Sequence, residues 1–186
     1  MAGYVCPWWL GYLLVSPLRR LLQDPHKILA PYVRNGMTVL EPGPGMGFFT
    51  LELARLVGPS GRVVALDLQP RMIERLKRRA AKAGLLERIL ARPVSGGSLD
   101  VTEFHGKVDF TLVFAVVHEL PAAAPFFAEM ASALKPGGCL LFAEPSGHVK
   151  PAQFDQEVQM AVRAGLNPVG YPPIRRSRAV LLRKQA

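Results

Sequence analysis

The sequence predicts an α/β fold: a doubly wound, mostly parallel sheet with helices on both faces. Two observations carry this. Short apolar runs of strand length alternate with segments whose apolar residues recur at helical spacing. Such alternation is the pattern of strand–helix–strand units, whose right-handed crossovers fix the winding. The chain has 186 residues, with 49% hydrophobic and 20% charged side chains, enough to bury one proper core and far from a disordered composition.

The elements follow in order. Met37 to Glu41 is an apolar run ahead of glycines and reads as a strand. A helix is expected over Gly47 to Val57, with Leu51, Leu53, Ala54 and Leu56 recurring at helical spacing, and Gly58-Pro-Ser-Gly61 is a turn. Arg62 to Asp67 is a valine-rich buried strand. Pro70 suits the first turn of a helix whose apolar stripe is Ile73, Leu76, Ala80 and Ala83, with Gly84 ending it. Ile89 to Val94 and Val108 to Val117 are strands, the second central by its continuous apolarity. A helix over Ala122 to Leu134 turns Phe126, Phe127, Met130 and Leu134 inward. Lys135-Pro-Gly-Gly138 is a turn and Cys139 to Glu144 a strand. Gln153 to Ala164 is a helix with Phe154, Val158 and Val162 on one face. Beyond the bend at Pro172-Pro173, Ala179 to Leu182 is a last strand.

In such sheets ligands bind at the carboxyl ends of the strands. The first of these ends carries Val39-Leu-Glu-Pro-Gly-Pro-Gly-Met-Gly-Phe48. Gly43, Gly45 and Gly47 permit positive φ and close approach of a ligand, and a helix starting near Gly47 would aim free amides at it. A dinucleotide fingerprint needs its third glycine one position later, where Phe48 stands, and no Lys-Ser/Thr pair follows to make a P-loop. A plain tight turn is the alternative. Glu41, ending the strand, sharpens the match, because its carboxylate suits an ammonium group. Asp67 ends the second strand 20 residues after Gly47 and can accept both ribose hydroxyls of an adenosine; its plain alternative is a cap ahead of Pro70.

The run from Val39 to Thr50, then Val63 to Asp67, then Leu134-Lys-Pro-Gly-Gly138 before a strand, resembles the class I S-adenosylmethionine-dependent methyltransferases, in particular their small type-11 or menaquinone-methyltransferase-like group. The resemblance covers about Asp24 to Glu144. It implies a seven-stranded Rossmann-like sheet and S-adenosylmethionine as cofactor, with S-adenosylhomocysteine as product. It implies that Glu41, Gly43, Gly45 and Gly47 hold the methionine part, that Asp67 binds the ribose, and that Leu68 packs on the adenine. The acid that often follows the third strand in that family is replaced here by Ser95-Gly-Gly-Ser-Leu99. Ser98 is the nearest polar substitute, Leu99 offers a backbone donor, Asp100 is the acid shifted along, and Phe114 completes the cofactor contacts.

Methyl transfer from a sulfonium is an in-line displacement that needs alignment first, and a base only where the nucleophile carries a proton. The strand from Val108 to Val117 runs into His118-Glu119-Leu120-Pro121. His118 is the candidate base and Glu119 the candidate for orienting it or the substrate; a loop or cap histidine is the alternative. His148, after Glu144-Pro-Ser-Gly147, is a candidate lining residue, while His26 and His105 have no evident partner. His118, Glu119, Glu144 and His148 follow no known ligand spacing, so no metal is expected.

The segment Tyr4-Val-Cys-Pro-Trp-Trp-Leu-Gly-Tyr12 holds four aromatics in nine residues. Residues 1–30 are therefore expected to form a helical lid over a methyltransferase domain spanning 31–186, and an apolar or aromatic small substrate suits that composition. A packing helix and a peripheral membrane contact through the tryptophans and Arg19-Arg20 are its alternatives. Cys6 and Cys139 form neither a disulfide framework nor a metal site and point to a reducing, cytoplasmic setting. They are also too few for the arsenite-methylating pattern. No apolar run is long enough for a membrane span, and no signal peptide is expected.

The +9 formal charge admits a nucleic-acid partner, but the basic residues are scattered and Lys77-Arg78-Arg79 falls on a polar helix face. The alternatives to a small-molecule methyltransferase are an RNA methyltransferase or nucleic-acid-binding protein and a catalytically silent S-adenosylmethionine-binding partner subunit. A nicotinamide oxidoreductase is disfavoured by the glycine spacing. Oligomeric state is left open.

Overall fold

The six strands expected from apolar runs and one more assemble into a seven-stranded, mostly parallel sheet in a computed structural model that describes residues 23–95 and 98–185. The tryptophan-rich segment lies outside the described residues, so the lid expectation stays with the sequence. The described chain divides into two compact units that meet in sequence at Gly97 and Ser98, and each is described by itself.

In the first unit the strands β1 (Thr38–Pro42), β2 (Arg62–Asp67) and β3 (Ile89–Pro93) pair in parallel in the order β3-β2-β1, with Glu41 opposite Ala65 and Asp67 opposite Pro93. Val39, Leu40, Val63, Val64 and Ala65 are fully buried, as strands covered on both faces require. Helix α1 (Pro25–Leu29) starts at Asp24, whose carboxylate caps the amides of His26 and Lys27. Helix α2 (Thr50–Leu56) begins three residues later than the sequence suggests. The reason is local: Gly47 has φ +84°, which no α-helix tolerates, so residues 45–49 form turns first. Helix α3 (Pro70–Lys82) has Pro70 in its first turn and Gly84 at φ +68° beyond its end. It buries Met72, Ile73, Leu76 and Ala80; the stripe runs one residue further toward the N-terminus than expected, and Ala83 is exposed.

In the second unit β4 (Val108–Phe114) and β5 (Leu134–Pro145) pair in parallel, while β7 (Ser177–Lys184) runs antiparallel to both β5 and β6 (Leu166–Gly170). The Lys135-Pro-Gly-Gly138 turn is a looped-out irregularity at the start of β5, where the register against β4 shifts between Val108 and Phe110. Strand β6 has no signal in the sequence, because Pro168 and Gly170 punctuate it. It sits at the end of the strand order, where a proline costs no ladder bond. Helices α4 (Ala123–Ala133) and α5 (Pro151–Arg163) pack on each other. Phe126, Phe127, Phe142 and Phe154 form a continuous run of ring contacts from α4 through β5 to α5, with centroids 5.0 to 5.6 Å apart.

Strand β4 ends three residues before the expected Val117. Ala115 takes φ +58°, an uncommon conformation for a residue with a Cβ, and donates its amide to Ala143 O at 2.8 Å. The chain then leaves the strand and Val117–Glu119 forms a single 3-10 turn. Among the described residues no helix is long and apolar enough to cross a membrane.

Candidate functional site

Two clusters of buried acids lie at carboxyl ends of strands, one in each unit.

In the first unit, Glu41 is buried at the end of β1 and its Oε2 has no hydrogen-bond partner. Burial pushes this carboxyl up to about 8; the neighbouring Thr50 hydroxyl lowers it without completing a well-formed hydrogen bond, and the charge of Asp67 raises it further. Asp67, at the end of β2, accepts from the Gly45 amide on Oδ2 at 3.1 Å and from the Gln69 amide on Oδ1 at 2.8 Å. Burial raises it as well, and these two amides oppose the rise. The contact to Gln69 resembles the plain capping alternative, yet the cap residue of α3 is Gln69 itself. The contact to Gly45 ties Asp67 to the glycine loop.

The loop corrects one expectation. Gly43, Gly45 and Gly47 all have positive φ, at +65°, +54° and +84°. Their amides are not free. Gly43 donates to Leu66 O at 2.8 Å, Gly45 to Asp67, and Gly47 to Pro44 O at 2.9 Å. A pyrophosphate needs unengaged amides; here they are consumed by the loop and by β2. Arg79, expected on a solvated face, instead donates to Met46 O and braces the loop. A Cβ built on Gly45 would meet nothing within 4 Å, so the loop leaves open space there. Leu68, next to Asp67, is 46% exposed, an apolar surface on which a ring could lie. Two buried carboxylates, one with an orphan oxygen, suit a ligand that carries cationic groups and hydroxyls. The zwitterionic, sulfonium-bearing S-adenosylmethionine fits that donor set, and a dinucleotide pyrophosphate does not.

In the second unit, Glu144 ends the apolar part of β5 and is fully buried. Its Oε1 accepts the amides of Val116 at 3.2 Å and Val117 at 2.7 Å, and its Oε2 lies 2.5 Å from His118 Nδ1. That hydrogen bond is the main reason the imidazole is pushed above its ordinary value, against desolvation, which lowers it. Glu119, the expected orienting residue, has its Oε1 3.9 Å from His118 Nε2, beyond hydrogen-bond range. The ring of His148 lies with its centroid 6.0 Å from that of His118. Glu157, on α5, is buried; Gln153 donates to its Oε1 at 2.9 Å, while its Oε2 has no partner. Burial raises this carboxyl and the charge of Glu144 adds to the rise, while the charge of Glu157 in turn helps raise His118.

Leu99's amide donates to Glu129 Oε2 at 2.8 Å, so the backbone donor expected there is engaged. Ser98 Oγ accepts from the Asp100 amide at 3.1 Å, and Asp100, with φ +47°, is exposed. Phe114 is buried at the end of β4. His26, on the surface, places its Nδ1 2.8 Å from Glu52 Oε1. Glu144 and Glu157 were missed as single residues. Glu144 carried a usable signal, an acid closing an apolar strand just as Glu41 and Asp67 do; Glu157 looked like any helix-surface glutamate.

Residues 34–166 match the family described as methyltransferase domain. A ribosomal protein L11 methyltransferase of Pelotomaculum thermopropionicum is 34% identical over 115 residues, covering 62% of this chain and 34% of that protein. An arsenite methyltransferase of Halobacterium salinarum is 32% identical over 125 residues, covering 67% and 30%. The matched segment thus spans about a third of the length of these curated relatives. A crystal structure of a SAM-dependent methyltransferase from Aquifex aeolicus superposes with a TM-score of 0.85 at 23% identity, over 96% of this chain and 99% of that one, a likeness of fold. The family match over most of the chain, joined to a glycine loop and acid pair suited to S-adenosylmethionine, establishes that the chain belongs to the methyltransferase domain family, built on the class I S-adenosylmethionine-dependent fold.

Proposed function

We propose that this protein transfers a methyl group from S-adenosylmethionine to a small acceptor, and that His118 takes the proton the acceptor loses. The observation that carries the first half is the acidic glycine loop, whose three amides are committed while Glu41 keeps an unpaired oxygen. Glu41 and the loop would hold the amino-acid end, Asp67 the ribose hydroxyls, and Leu68 the adenine. When bound, the cofactor supplies a methyl carbon on a positively charged sulfur that leaves as a neutral thioether.

The work left to the chain is binding, alignment and proton removal. His118 Nδ1 is held by Glu144, and Nε2 makes no hydrogen bond among the described residues, so Nε2 is the nitrogen available to a substrate proton. The relatives are methyltransferases of acceptors as unlike as a ribosomal protein and arsenite.

Calorimetric titration with S-adenosylmethionine, S-adenosylhomocysteine and NAD tests the cofactor assignment. Micromolar binding of the first two and none of NAD is expected; no binding of either sinks the reading. His118→Ala should leave cofactor affinity unchanged and lower turnover about 10²- to 10⁴-fold, the usual contribution of a positioned base. Full activity in that variant removes the proton-transfer role.

A further inference from the structure

We infer that Glu144 is the positioning residue of His118, fixing the proton on Nδ1 so that Nε2 presents a lone pair, and that the methyl acceptor is therefore a protic one, a hydroxyl or an ammonium. The inference rests on the methyl-transfer reading above and deepens it.

The geometry is unusually constrained for a single carboxylate. Glu144 Oε1 receives two consecutive backbone amides, Val116 and Val117, because Ala115 has turned the chain out of β4 in a left-handed conformation. Two fixed donors on one oxygen leave the other, Oε2, with one direction to face, and His118 Nδ1 is there at 2.5 Å. A carboxylate is an acceptor only, so the hydrogen in that bond belongs to Nδ1. In the neutral imidazole, Nε2 must then be the unprotonated nitrogen. The same logic makes a buried carboxylate the orienting partner of a catalytic imidazole in general.

The strained turn also argues for a site. Positive φ at an alanine persists only where the surroundings hold it, and here the Ala143 carbonyl and the Glu144 carboxylate hold both sides of it. A surface histidine serving as a loop contact needs none of this.

The charged groups facing the imidazole come from every neighbouring segment: Glu144 on β5, Glu119 on its own turn, Glu157 on α5, with His148 after β5. All three carboxylates favour the imidazolium. A base so placed is useful where a proton must leave the nucleophile as the new bond forms, and idle where the nucleophile has no proton to lose. In the step, the proton passes from the acceptor's oxygen or nitrogen to His118 Nε2. The lone pair so released forms the bond to the methyl carbon, and the pair of the breaking carbon–sulfur bond goes to sulfur.

The test is Glu144→Gln, which keeps shape. The two backbone amides need an acceptor, so the glutamine oxygen must face Val116 and Val117 and its NH₂ must face His118 Nδ1. The imidazole is then forced to accept on Nδ1 and to carry its proton on Nε2. Two-bond ¹H–¹⁵N spectra of the labelled protein, with His118 identified by its loss in His118→Ala, should show the Nδ1-protonated tautomer in the parent. In Glu144→Gln they should show the Nε2-protonated one, with the titration midpoint lowered by about one unit or more. The same tautomer and midpoint in both proteins would overturn the inference.

Production of S-adenosylhomocysteine from hydroxyl- and amine-bearing acceptors gives the second readout. Glu144→Gln should lose kcat about 10²-fold or more with KM unchanged, the parent's rate should rise with pH through the His118 midpoint, and Glu144→Asp should recover part of the loss. If Glu144→Gln turns over like the parent, the positioning role falls. If instead His118→Ala is fully active while the tautomer still flips, the proton-transfer reading fails and the Glu144–His118 pairing stands. A circular-dichroism spectrum and cofactor affinity equal to the parent's establish that each variant is folded.

Discussion

Glu41 and Asp67 both close apolar parallel strands, yet their surroundings differ in a way that sets different behaviour. Asp67 has an amide on each oxygen and retains lone pairs for two hydroxyls. Removing it in Asp67→Ala should weaken S-adenosylmethionine binding by about 1–3 kcal/mol, the scale of a buried polar partner left unpaired; equal affinity by calorimetry would end the ribose assignment. Burial pushes the Glu41 carboxyl up to about 8, which favours its neutral form near pH 7. A bound cation favours the ionised form, so cofactor binding should release a proton from Glu41 below pH 8. Titrations at pH 7 in buffers of different ionisation enthalpy should show this release, and Glu41→Gln should abolish it.

At the scale of elements, the glycine loop is braced from three sides: by β2 through Gly43, by Asp67 through Gly45, and by Arg79 of α3 through Met46 O. At Gly47 the loop runs close to α3, since a Cβ there would lie 2.4 Å from Leu76 Cδ1 in a backbone of φ +84°. Gly47→Ala should therefore destabilise the fold by about 1–3 kcal/mol, from overpacking and backbone strain together. Gly45, whose Cβ would meet open space, should cost less, chiefly its positive φ. Chemical denaturation of the two ligand-free variants checks the order. The glycines themselves were legible in the sequence, because only that residue suits such turns. What their amides contact was not, because Asp67 lies 22 residues from Gly45.

At the scale of the molecule, Tyr32, Glu41, Asp67, His118 and Glu157 are all raised. A raised value means the folded state holds the proton more tightly than the unfolded chain, so stability falls as pH rises through the window between the two values. For Glu41 that window runs from the ordinary 4.5 to about 8. For His118 the stabilisation is complete below the ordinary 6.5 and is lost as pH climbs through the higher folded value. The ligand-free protein should accordingly melt at a higher temperature near pH 5 than near pH 8, and Glu41→Gln should flatten that slope. A melting temperature that rises over this interval would show that Glu41 is not held neutral.

The sequence by itself determined the alternation of strands and helices, the buried character of the central strands, the glycine loop with Glu41 and Asp67 at strand ends, and the family likeness. These are local signals: periodicity, turn residues and an acid closing an apolar run. The tertiary structure decided where β4 stops, that α2 starts at Thr50, that β6 exists despite Pro168, and that Glu144 rather than Glu119 holds His118. Where β4 stops and what holds His118 depend on partners 26 or more residues away in the chain; β6 depends on its pairing with β7 and the start of α2 on the backbone angle at Gly47, and neither periodicity nor turn composition reports these.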